Sequence, residues 1–189
     1  RDSCLNTVEA VSNLLYGIDI DHYIAFTMDA VARTNDLSGG VQIEMLEDFS
    51  AIDPAMDEGA VVTLKGEQAL TYVRTRKGLD DTTNLSRMER QRQYLNALMV
   101  KVQTCMEQND SFMFNAVTEI SGYMESDCTV EQLTRLLEET KEYQRDDIIM
   151  IEGESVQGKE FMEFYVDENA LRLLIISNLY EPYEEVSLS

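Results

Sequence analysis

The chain has 189 residues, of which 44% are apolar, and a net charge of −21 at neutral pH. That length and apolar share fit one globular domain with a sizeable core. A mean field so negative repels nucleic acid and anionic headgroups over most of the surface, and no stretch approaches the roughly 20 apolar residues of a membrane span.

In chain order, residues 4–16 read as a helix with Leu5, Val8, Val11 and Leu15 on one face and Gly17 at its cap. Residues 22–28 read as a strand, followed by a short helix capped by Asp29 and running to Leu37. Gly39-Gly40 ends it, and Val41 to Leu46 alternates as a strand. An acidic loop containing Pro54 and Gly59 leads to a strand over 60–64 and a helical turn or two over 67–73. After a polar loop, residues 78–85, a long helix is predicted over 86–106, with Met88, Leu95, Leu98, Met99 and Val102 at the 3.6-residue period. Further helices follow over 111–124 and from a capping box at Thr129 and Gln132 to Tyr143. Ile148–Ile151 and Phe161–Val166 read as a hairpin turning around Gly153–Gly158. Asp167 caps a last helix with Leu171, Leu174, Ile175 and Leu179 on one face. Helices and strands thus interleave without repeats or linkers, which predicts an α/β fold: an α-β-α sandwich around a central mixed sheet. Residues 1–180 form the domain and 181–189 an acidic tail. The chain lacks an initiating Met and opens directly into helical sequence, so it reads as a domain whose N-terminal part lies outside it.

The charge is unevenly spread. Residues 65–101 hold eight bases against four acids, a local +4, and the remainder carries −25. Within that island, Arg74 and Arg76 are two apart, so an extended chain would turn both to one side. Arg87, Arg90 and Gln91 stand at i, i+3 and i+4, one face of a helix. They also occupy its first turns, where backbone N–H groups favour an anion. Converging guanidinium forks suit a diphosphate, and Gln91 adds a neutral donor. Spacing alone leaves a second reading open, in which the arginines form a solvated face paired with the abundant carboxylates.

Several motifs in this region appear in a known order. Gly17-Ile18-Asp19-Ile20-Asp21-His22-Tyr23, Leu37-Ser38-Gly39-Gly40-Val41, Gly66-Glu67-Gln68-Ala69-Leu70, Tyr72 to Arg76, and Arg87-x-x-Arg90-Gln91 follow one another over about 80 residues. Together they resemble the LytR-CpsA-Psr family of bacterial cell-envelope phosphotransferases. Phe164 to Leu174 is similar, less specifically, to a C-terminal element of that family. The resemblance implies that Arg74, Arg76, Arg87 and Gln91, with Arg90 beside them, bind the pyrophosphate of a polyprenyl lipid whose tail enters a tunnel between sheet and helices. It implies transfer of a glycopolymer phosphate, such as teichoic acid or capsule, from the polyprenyl-pyrophosphate carrier to a peptidoglycan hydroxyl. The arginines and a Mg²⁺ ion would neutralise the developing charge. It also implies a place on the extracellular side of the cytoplasmic membrane, with an anchor upstream of this chain.

The sequence departs from the family pattern at Asn84 and Ser86, where an Asp and a Gly are usual. The family's Mg²⁺-binding aspartates also lie upstream of the matching region, so catalytic and metal-binding residues are expected outside this chain. The fragment alone is then expected to be inactive, and a non-catalytic polyprenyl-phosphate-binding module is the alternative reading. A transcriptional regulator is disfavoured by the charge and by the lack of a helix-turn-helix with basic recognition residues. His22, the only histidine, is expected to pack. Asp53, Asp57 and Glu58 read as a solvated acidic loop. For Cys105 and Cys128, a disulfide and two separate thiols both stay open.

Overall fold

The computed structural model describes residues 2–75, 84–140, 143, 148–160 and 162–180. Two apolar cores organise the central part. The first is built on an antiparallel pair, β2 (Val41–Glu44) and β3 (Val61–Leu64), with Val41 opposite Leu64 and Glu44 opposite Val61. Strand alternation turns Val41 and Ile43 inward and leaves Gln42 and Glu44 outside. The connecting loop is not a loose acidic excursion. Met45, Phe49 and Met56 are all fully buried against the pair, and Phe49 and Met56 are joined by a backbone hydrogen bond of 2.9 Å.

Three helices cover this core: α2 (Met28–Leu37), α3 (Glu67–Arg74) and α4 (Asn84–Gln108). Thr27, rather than the expected Asp29, stands at the N-cap of α2, and Asp29 falls in the first turn. A fully buried Asn35 ties the layers together. Its amide donates to the Leu64 carbonyl (2.8 Å), and its carbonyl accepts the Tyr94 hydroxyl from α4 (3.2 Å). The α2–β2 turn closes on Gly40 at φ +92°, where a Cβ would lie 2.9 Å from the Leu64 carbonyl oxygen. Both the positive φ and the close approach therefore call for glycine.

The second core joins α5 (Phe112–Ile120) to α6 (Val130–Glu139) through Met113, Val117 and Leu133, with Val102 and Met106 of α4 packed against them. The capping box at Thr129 and Gln132 forms as expected. A 3-10 turn, Ser121–Tyr123, follows α5. It leads into β4 (Met124–Ser126), which pairs antiparallel with β1 (Ile24–Phe26). The predicted helix over 111–124 runs into the start of β4, because three residues are too few to show a strand period.

At the C-terminal end, β5 (Gly153–Gln157) and β6 (Met162–Val166) form a hairpin, and α7 (Glu168–Leu179) follows. The first hairpin strand is a correction: it occupies residues read as the turn, and Ile148–Ile151 is not a strand. Gly153 supplies the reason. A Cβ there would sit 2.3 Å from the Tyr165 carbonyl oxygen, so glycine marks close strand approach and not a bend. Asp167 caps α7 through the N–H groups of Asn169 and Ala170. The first helix, α1 (Asp2–Leu14), buries no residue. Just beyond its end, the Tyr16 hydroxyl donates to Glu168 of α7, and Arg172 lies over the Tyr16 ring at 5.4 Å.

The class is α/β, as expected. Among the described residues the strands pair two by two, all antiparallel. Each pair closes its own local ladder, and none of these strands bridges two pairs. Cys4, Cys105 and Cys128 are free thiols. Cys105 approaches the Ser38 carbonyl (3.6 Å) and Cys128 approaches Asp127 (3.8 Å), so the candidate disulfide pair engages different partners.

Candidate functional site

The Gly66–Leu70 run fixes α3 in place. The Gly66 N–H donates to the Asp36 carboxylate at 2.6 Å, which ties the helix start to α2. Gln68 accepts from the Lys65 N–H (3.2 Å) and donates to Asp53 (2.6 Å). The Gln68 amide and the Ala55 N–H hold the Asp53 carboxyl below its usual range. Asp53 is therefore a structural anchor, while Asp57 and Glu58 are exposed as expected. Ala69, Leu70, Tyr72 and Val73 then bury the inner face of α3. Burial pushes the Tyr72 hydroxyl up to about 12, and it donates to Gln93.

With α3 anchored, its last residue, Arg74, is exposed. Thr75 then leaves the helix in an extended conformation, with ψ of 133°. Arg76, the other member of this pair, lies outside the described residues.

On α4, the i, i+3, i+4 spacing does place Arg87, Arg90 and Gln91 on one face, yet they do different things. Arg90 is 1% exposed. Its guanidinium donates to the Tyr72 and Thr75 carbonyls, the latter at 2.7 Å, and lies 3.3 Å from the Glu47 carboxylate. The Phe49 ring flanks it at 5.3 Å. The Gln91 amide donates to the Val73 carbonyl at 3.0 Å. These carbonyls belong to the C-terminal end of α3, where a helix leaves its last carbonyls without partners of its own. Arg90 and Gln91 thus cap one helix with side chains from the next.

Read from the sequence as a pyrophosphate ligand, Arg90 has its fork engaged by the protein. Its position instead stitches the end of α3 to the start of α4. Arg74 and the half-buried Arg87 flank that same junction. Glu47, the carboxylate beside it, is engaged by Arg90 and by the Ser86 hydroxyl.

An apolar groove of about 760 Å³ reaches the junction from between the two cores, a size typical of small-molecule sites. Val31, Leu95, Leu98, Val117 and Leu133 are among its walls, and Val73 and Gln91 line it as well. The lining is largely apolar, with the Gln91 amide among its polar members.

Among the described residues, the converging metal-ligating side chains do not fit the Mg²⁺ that the resemblance implies. Mg²⁺ takes a near-octahedral oxygen shell. Among the described residues, the one group of three or more His, Cys, Asp or Glu side chains that converge is His22, Asp127 and Cys128, which brings sulfur and nitrogen. His22, expected to pack, is instead 54% exposed in its side chain, with Nδ1 3.1 Å from Asp127.

Asn35, Asp36 and Glu47, which brace the platform, carry no signal in the sequence. Nothing in their spacing distinguishes them from solvated polar residues. Their role comes from partners 29 to 59 positions away in the chain, such as Leu64 and Tyr94 for Asn35.

The fold is α/β, and an apolar groove runs up to the junction of two helices that carry arginines. The LytR_cpsA_psr family model matches residues 4–176, and the chain belongs to that family. It is 31% identical over 120 residues to the polyisoprenyl-teichoic acid–peptidoglycan teichoic acid transferase TagU of Halalkalibacterium halodurans, covering 64% of this chain and 36% of that protein. It is 30% identical over 143 residues to the TagU of Oceanobacillus iheyensis, covering 72% of this chain and 40% of that protein. The chain therefore spans about two-fifths of these relatives or less. Among solved structures, Bacillus subtilis TagV superposes with a TM-score of 0.71 at 26% identity, over 93% of this chain and 70% of that one. A TagT structure described as bound to LIIa-WTA superposes at 0.69 and 19% identity, over 90% of this chain and 64% of that one, a likeness of fold.

Proposed function

We propose that this chain is the lipid- and phosphate-gripping part of a cell-envelope glycopolymer transferase. Its substrate would be a polyprenyl-pyrophosphate-linked polymer such as teichoic acid, its acceptor a peptidoglycan hydroxyl, and its place the outer face of the cytoplasmic membrane. The observation that carries the reading is the apolar groove lined at the helix junction by Val73 and Gln91. The tail occupies the groove, and the diphosphate sits over the junction, beside Arg74 and Arg87. Gln91 has one amide N–H on the Val73 carbonyl and offers its second to a phosphate oxygen. Arg90 holds the two helices in register beneath.

In the reaction, the acceptor oxygen forms a bond to the polymer-bearing phosphorus as the pyrophosphate P–O bond breaks. Polyprenyl phosphate leaves, and the hydroxyl proton passes to a base supplied outside the described residues. The arginines stabilise charge on the departing phosphate. The activities of the TagU relatives support the transfer reading. The alternative is a binding module without transfer.

A short-chain polyprenyl pyrophosphate titrated into the chain, against Arg74→Ala and Arg87→Ala, tests the site. Removing one charge-assisted hydrogen bond should cost about 1.5–3 kcal/mol, roughly tenfold or more in Kd. The parent polyprenol, lacking phosphate, should bind all three proteins alike. Equal pyrophosphate binding by all three returns the arginines to a solvated face. Turnover with a peptidoglycan acceptor separates transferase from binding module.

A further inference from the structure

We propose that His22, Asp127 and Cys128 form a site for a borderline-soft divalent metal ion, Zn²⁺ by its donor set, that clamps the end of the β1–β4 pair. One ligand atom from each of the three side chains lies within 4.8 Å of the other two. His22 Nδ1 is 3.1 Å from Asp127 Oδ2, and Cys128 Sγ is 3.8 Å from Asp127 Oδ1. Tetrahedral ligands on bonds of about 2.0–2.3 Å stand roughly 3.3–3.8 Å apart, so small side-chain rotations bring the three donors onto one ion.

The backbone presents them in fixed register. Ile24 pairs with Ser126, which sets His22-Tyr23 alongside Asp127-Cys128 just beyond the ladder. The Tyr23 N–H donates to Asp127 Oδ1 (3.1 Å), the Ser126 hydroxyl donates to the Tyr23 carbonyl (2.7 Å), and the Cys128 N–H donates to the Ser126 oxygen (3.1 Å). The surroundings favour a cation: residues 17–27 and 121–134 contain Asp19, Asp21, Glu125, Asp127 and Glu131 and no Lys or Arg.

Sulfur, nitrogen and oxygen together select Zn²⁺ or Co²⁺ over Mg²⁺ or Ca²⁺. Binding displaces the Cys128 thiol proton to solvent and takes the imidazole in its neutral form, so thiolate and carboxylate balance the dication. Water completes the shell, because the cluster supplies three protein donors. Ile24, Phe26 and Met124 on this strand pair line the apolar groove, so the ion would stiffen one wall of it.

The test uses the chelator-stripped, reduced 189-residue chain titrated with Co²⁺ alone and with Zn²⁺ alone. One equivalent of Co²⁺ should produce thiolate-to-cobalt charge-transfer absorption, which Zn²⁺ bleaches and millimolar Mg²⁺ leaves unchanged. His22→Ala and Cys128→Ser should each weaken binding by at least about tenfold. The Cys4→Ser/Cys105→Ser double variant, which keeps only Cys128, should retain the band. Charge-transfer absorption that survives Cys128→Ser, or vanishes in the double variant, would overturn the site, as would the lack of any saturable one-equivalent binding. Circular dichroism confirms that the variants fold, and the double variant decides the matter even if a ligand substitution does not.

Discussion

Replacing Arg90 with Met removes a charge while keeping most of the side-chain volume. Arg90 is 1% exposed, its guanidinium holds the Tyr72 and Thr75 carbonyls, and it faces a Glu47 side chain only 14% exposed. The variant removes the Arg90 donors from those carbonyls at the end of α3 and leaves a carboxylate with little water. Breaking a buried ion pair from one side costs about 3–5 kcal/mol, and the loss of the carbonyl bonds falls within the same order. An exposed arginine such as Arg74 should change stability by less than about 0.5 kcal/mol when cut to Ala. Urea unfolding followed by far-ultraviolet circular dichroism measures both. Adding Glu47→Gln to Arg90→Met should recover part of the loss, because the stranded charge is gone; a double-mutant cycle reads that coupling directly. If Arg90→Met costs under about 1 kcal/mol, or if the cycle shows no coupling, the guanidinium is not the brace between α3 and α4.

Three further outcomes follow from the geometry. Tyr94→Phe removes the hydroxyl that donates to buried Asn35, and equilibrium denaturation should show a loss of about 1 kcal/mol. Gly40→Ala puts a Cβ at positive φ and 2.9 Å from the Leu64 carbonyl; the same measurement should show a loss of about 1–3 kcal/mol. The Asp53 carboxyl is held below its usual range by Gln68 and Ala55, so its contribution is present above the ordinary carboxylate range and is lost as pH falls through the depressed value. A carboxyl titration followed by NMR should show that midpoint rising toward the ordinary value in Gln68→Leu; an unmoved midpoint would remove Gln68 as the cause.

Much of this molecule is legible in its sequence. Long periodic segments such as α4, and side-chain signals such as Thr129 with Gln132 or Asp167, act locally, so sequence reports them faithfully. Short strands escape for the opposite reason. Met124–Ser126 is a strand only because Ile24–Phe26 lies beside it, and Gly153 resembles a turn residue until Tyr165 is placed against it. At the site, helical spacing correctly puts Arg87, Arg90 and Gln91 on one face. Spacing does not tell which of them points at protein. That depends on where α3 ends, which is set by bonds to Asp36 and Asp53 far upstream. The motif places these residues together on one face, and tertiary packing decides what each one touches.

Five of the ten methionines line the groove: Met28, Met99, Met106, Met113 and Met124. Unbranched thioethers re-pack readily, so the shape of these walls is adaptable. Those sulfurs also carry a chemical liability. Oxidation to sulfoxide turns each into a polar, chiral group, and a channel that prefers hydrocarbon would become one that prefers water. Oxidation would thus wet the groove while every arginine stays intact.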